Sequence, residues 1–177
     1  MTSNTQVPVL VFLDVAVHEV GHKIFSPFGD LIMLIMGTGF QILFPLVVGV
    51  VLAVWRRDLI AWGVCWAWSA NAMCDGARYI FDAPRGELML MGASDGLGDW
   101  SKILGPEHFD KLYLADSIAT KVRTAGYVLW FVALGLAAWV IVRDRLHDRA
   151  TAETPRPRAI VKPGSPRPVI DDEHMWR

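Results

Sequence analysis

The sequence predicts an all-α membrane protein of about four transmembrane helices, with an ordered loop between spans three and four and a disordered C-terminal tail. Three observations predict it. Hydrophobic residue types make up 53% of the 177 residues and charged types only 20%, against roughly 25% charged in an average soluble domain. The apolar excess is gathered into long uncharged runs, of which 31–55 and 125–142 are the clearest. After residue 150 the composition turns to proline, arginine and small polar residues, which cannot bury a core. A formal net charge of −1 gives no basic field for nucleic acid.

The elements follow in chain order. The first span is expected at about 7–25. Its apolar start, broken only by Asp14, is too short to cross about 30 Å of hydrocarbon and reaches membrane length only by continuing to Phe25. That places His18-Glu19-Val20-Gly21-His22 inside the span or at its rim. A signal peptide is disfavoured, because no basic leader and no small-residue cleavage site accompany the segment. The second span is expected at 31–55 and the third at 59–81, joined to their neighbours by tight turns at Gly29-Asp30 and Arg56-Arg57-Asp58. The third span is rich in tryptophan (Trp62, Trp66, Trp68) and has a polar end. The loop from 83 to 120 carries glycines among apolar residues, and the fourth span lies at about 123–143. Residues 1–149 thus form a helical bundle and 150–177 a proline-rich tail. Cys65 and Cys74 lie about 13 Å apart along one helix, too far for a disulfide. Arginines at 56, 57, 143, 145 and 149 favour termini on the cytoplasmic side, the inner membrane of a bacterium being the expected location.

Chemistry concentrates in the first span. His18-Glu19-x-x-His22 sets two histidines one helical turn apart, so both can hold one zinc ion, and Glu19 can serve as general base towards the attacking water. Ionisable groups in a span are costly and mark functional sites. A catalytic zinc wants a third protein ligand. On the third span Asn71, Asp75, Arg78 and Asp82 are spaced as one polar stripe, and the rise per residue brings Asp75 level with the histidines. Asp75 is the preferred third ligand, with an ion pair to Arg78 as its rival role. Asp99, in Gly98-Asp99-Trp100, is the alternative, since its loop emerges on the same side; Asp95 could fold back likewise. Asp14, four residues before His18, is a candidate to accept the non-metal N–H of that ring. Gln41 and Pro45 interrupt the second span, and a proline kink there would open room beside a site.

A helix carrying His18-Glu19-x-x-His22, followed two spans later by Asn71 and Asp75-Gly76 with Arg78, resembles the site-2 protease (M50-type) intramembrane zinc metalloproteases. The resemblance covers about residues 10–30 and 68–80, and it lacks the family's proline between the asparagine and Asp-Gly. It implies His18, His22 and Asp75 as zinc ligands, Glu19 as base, and Asn71 as a contact to substrate or oxyanion.

The expected function is therefore a zinc-dependent metalloendopeptidase hydrolysing a peptide bond in or near the bilayer, with a membrane-protein or peptide substrate. The rival is a non-catalytic multi-pass protein with a structural metal or polar cluster and a partner-binding tail. Haem is disfavoured, because histidines four apart face one side of one helix and cannot clamp the two faces of a porphyrin.

Overall fold

The structure, a computed structural model, describes residues 8–88 and 97–153, and every described element is helical. Its packing divides the chain into two units, Met1–Arg143 and Asp144–Arg177, the second of which begins within the last helix. The helices are α1 (Pro8–Phe25), α2 (Asp30–Val51), α3 (Leu59–Asp82), α4 (Asp99–Leu104) and α5 (Ala115–Glu153). The proline-rich tail lies outside the described residues from position 154, as does Asp95.

Local chemistry explains where these helices stop and start. Gly29, at φ +96°, breaks the chain between α1 and α2, a conformation that glycine adopts without the penalty a side chain incurs. The end of α2 widens into a π turn over Leu52–Arg56 and closes at Arg57 in the left-handed region. Asp58 then caps α3, its carboxylate accepting the N–H of Ala61 at 2.9 Å. Pro45 stays within α2, where it removes one backbone donor. Close by, the Ser69 hydroxyl donates to the carbonyl of Ile42 at 2.8 Å and ties α3 to α2. The fourth long helix starts at Ala115, well before the expected 123, because Ala115 and Ala119 turn a buried face to the core and so extend it through a polar-looking stretch.

Among the described residues two segments, Asp30–Arg56 and Leu112–Arg149, are long and apolar enough to cross a membrane, by length and composition. The small residues of α3 and α5 repeat every seven positions: Gly63, Ala70 and Ala77 on one helix, Ala119, Gly126 and Ala133 on the other, all buried. A Cβ added to Gly126 would stand 3.1 Å from the carbonyl oxygen of Ala70, and one added to Gly63 would stand 3.6 Å from that of Ala133. The two helices thus run antiparallel with their backbones close, the small-residue packing that membrane helices use where no hydrophobic drive separates helix from lipid.

A second core gathers at the far end of α3. Ile80, Ile103, Leu104, Ala115 and Ala119 are buried together with Leu34, so the short helix α4 is seated against α2, α3 and the start of α5. Asp82 closes the turn after α3, its two carboxylate oxygens accepting the N–H groups of Glu87 and Leu88 at 3.0 and 3.1 Å. Arg85 pairs with both oxygens of Asp116, at 2.9 and 3.1 Å, which links this turn to α5. The cysteines are free.

Candidate metal centre

His18 and His22 stand on α1 with ring centroids 4.6 Å apart. The carboxylate that meets them is that of Asp99, the first residue of α4. His18 Nε2 lies 3.0 Å from Asp99 Oδ2, His22 Nε2 lies 3.1 Å from the same oxygen, and the two nitrogens are 3.0 Å apart. The three side chains are between 14% and 18% exposed, so the cluster is largely shielded.

A second contact decides what this triangle can hold. His22 Nδ1 lies 2.9 Å from the carbonyl oxygen of Met33 on α2, and a carbonyl only accepts, so Nδ1 carries the hydrogen. The neutral ring then turns a bare lone pair at Nε2 towards the Asp99 carboxylate and His18. Electron-rich atoms at such distances need positive charge among them, supplied by protons on the imidazoles or by a metal ion. Locking one ring nitrogen onto a backbone carbonyl while the other faces the site is how metal-binding histidines are oriented. The donor set fits zinc: an ion with tetrahedral bonds of about 2.0–2.1 Å spaces its ligands by about 3.3 Å, a few tenths of an ångström wider than these edges. Asp99 responds to the same surroundings. Burial opposes its charge, but the hydrogen bond from His18 holds its carboxyl below the usual range.

Two glycines bring the elements this close. A Cβ on Gly37 of α2 would lie 2.5 and 2.6 Å from the Cε1 and Nε2 atoms of His22 and 2.8 Å from Cε1 of His18. The imidazoles therefore rest directly on the α2 backbone. Gly21, between the histidines, lets α1 approach α2 closely, since a Cβ there would collide with the Met36 carbonyl oxygen.

Each of the first three residues of α4 is fixed by a different neighbour. The Asp99 N–H donates to the Tyr79 hydroxyl oxygen at 2.9 Å. Trp100 Nε1 donates to Thr38 Oγ1 at 3.0 Å, and the Ser101 hydroxyl donates to the Ala83 carbonyl at 2.8 Å. Thr38 in turn packs where Gly76 leaves space, since a Cβ there would lie 2.7 Å from Thr38 Cγ2.

The remaining expected residues form a separate network. Asp14 accepts from Trp68 Nε1 at 2.7 Å and from Asn71 Nδ2 at 3.5 Å, so its bonds run to α3 and not to His18. Asn71 also donates to Asp75 at 3.2 Å, and Asp75 pairs with Arg78 at 3.9 Å. Asp75 thus bonds to Asn71 and Arg78 of its own helix, outside the group of ligand atoms that His18, His22 and Asp99 bring within 4.8 Å of one another. Rise per residue fixes the depth of a side chain on a helix, not the direction it faces, and the group that comes together here contains the alternative carboxylate, Asp99. Glu19 is exposed beside the pair. Met33, Gly37 and Tyr79 carried no chemical signal in the sequence, although glycines at 21 and 37 are the marks a close helix crossing leaves.

Comparison of the chain with models of protein families, with curated proteins and with solved structures gives no match. The all-helical fold and the two-histidine, one-carboxylate cluster are what define the molecule.

Proposed function

We propose that the protein is a membrane-embedded zinc metalloendopeptidase that hydrolyses a peptide bond in or near the bilayer, with Glu19 as general base. The observation that carries the reading is the convergence of His18 Nε2, His22 Nε2 and Asp99 Oδ2 next to a glutamate, with His22 oriented by the Met33 carbonyl. Three protein ligands leave one position of a tetrahedral ion open, which is the pattern of catalytic sites and not of closed structural ones. Zinc, when bound, supplies a Lewis acid that polarises a carbonyl and makes a water acidic near neutral pH. Glu19 then takes the proton of the attacking water and passes it to the leaving nitrogen.

Four spans suit this reading. Helices α1 and α3 would join the two long apolar segments, and their outward faces carry exposed Phe12, Val20, Ile60 and Val64, suited to lipid. The termini would be cytoplasmic, in a bacterial inner membrane, and the histidines would stand near the opposite rim. A helical substrate has no free backbone groups, so it must unwind before attack, and a site at the rim allows that. The likeness to site-2 proteases resides in the His-Glu-x-x-His helix, while the third ligand would come from the loop after the third span instead of from an Asp-Gly motif.

The test uses the protein reconstituted in vesicles with a panel of fluorogenic single-span peptides. Wild type is expected to cleave at least one of them. Glu19→Gln should bind zinc equally and cleave it about 10²–10⁴ times more slowly. Equal rates in the two proteins contradict the assignment.

A further inference from the structure

We propose that Tyr79 is a positioning residue that presents Asp99 to the metal and thereby sets the zinc affinity of the site. The inference rests on the metal reading above and adds a residue from a third helix.

Asp99 differs from the other two ligands in how it is held. His18 and His22 belong to an 18-residue helix, whereas α4 has six residues and begins after Gly98, which offers no side-chain cap. The first N–H groups of a helix lack intrahelical partners, so the N–H of Asp99 must find an acceptor elsewhere. It finds the hydroxyl oxygen of Tyr79 at 2.9 Å, in a half-buried position where an unmet donor is costly. The Tyr79 ring also stands edge-on to His18, with centroids 6.0 Å apart. One side chain of α3 therefore touches a histidine ligand and holds the backbone of the carboxylate ligand. A carboxylate on a two-bond stem is placed by its own backbone, so loosening that N–H loosens the metal corner itself. Two further bonds that dock α4, Trp100 to Thr38 and Ser101 to Ala83, act on residues outside the ligand group.

That difference supplies the control. In the full chain in detergent, zinc affinity is measured by competition with a chromophoric chelator, and circular dichroism reports folding. Tyr79→Phe keeps the ring and removes the acceptor, and is expected to weaken zinc binding about 10–100-fold. Ser101→Ala removes a bond of similar length from the same helix, and should leave affinity within about threefold. With cobalt(II) in place of zinc, the visible bands should shift in Tyr79→Phe and stay unmoved in Ser101→Ala. A ring-fluorinated tyrosine at position 79 keeps the oxygen but weakens it as an acceptor, and should fall between wild type and Tyr79→Phe; it serves as the test if Tyr79→Phe does not fold. Wild-type affinity and an unshifted cobalt spectrum in the Tyr79 variants overturn the proposal, as does an equal loss in Ser101→Ala. A wild type that binds no zinc overturns the metal reading instead.

Discussion

Two residues without chemistry of their own decide whether the histidines can work. Gly37 is the floor on which both imidazoles rest, at distances where any Cβ would intrude. Flexible side chains can often yield to an added methyl, but these rings are tied to Met33 and Asp99 and have little freedom. Gly37→Ala is therefore expected to destabilise the fold by about 1–3 kcal/mol and to weaken zinc binding by at least about tenfold, measured by thermal melting and chelator competition. The Met33 carbonyl is the second such feature. It lies in the main chain, so no substitution at 33 removes it, yet it fixes which nitrogen of His22 faces the site.

At the scale of elements, the seam between α3 and α5 makes a sharp contrast available on a single helix. Gly126 sits with Ala70, Met73 and Cys74 within 3.1 Å of a would-be Cβ, whereas a Cβ on Gly135 would meet nothing within 4 Å. Gly126→Leu should cost about 1–3 kcal/mol by forcing the helices apart. Gly135→Ala should be neutral or stabilise by up to about 1 kcal/mol, because alanine loses less conformational freedom in a helix. Unfolding in mixed micelles reads both, and equal effects at the two positions would show that the seam is not a close contact. The short helix α4 obeys a different logic. Its own six residues cannot sustain it; Ile103 and Leu104 in the core and polar bonds to Tyr79, Thr38 and Ala83 do.

Across the whole molecule, the positions of α1, α2 and α3 are legible because they follow from apolar runs and from turn residues such as Gly29 and Asp58, whereas α4 and the early start of α5 depend on packing that local composition does not show. The His18 and His22 pair was legible because a spacing of four is local to one helix. The third corner was not, since it depends on how a loop returns to the bundle: Asp75 and Asp99 looked alike in composition, and only packing of Trp100 on Thr38 and of Asp99 on Tyr79 distinguishes them. Nor did Asp14 announce that it would meet Trp68 and Asn71. A four-span arrangement predicts that single cysteines at Ser26 and Glu107, in a background lacking Cys65 and Cys74, react with an impermeant maleimide from outside the cell. One at Asp58 should react only after permeabilisation, and external labelling at Asp58 would refute that topology. Metal content distinguishes Asp75 from Asp99 as the third ligand. Purified wild type and Asp75→Ala are expected to carry about one zinc per chain and Asp99→Ala to lose it; zinc retained in Asp99→Ala, or lost in Asp75→Ala alone, would contradict the site described.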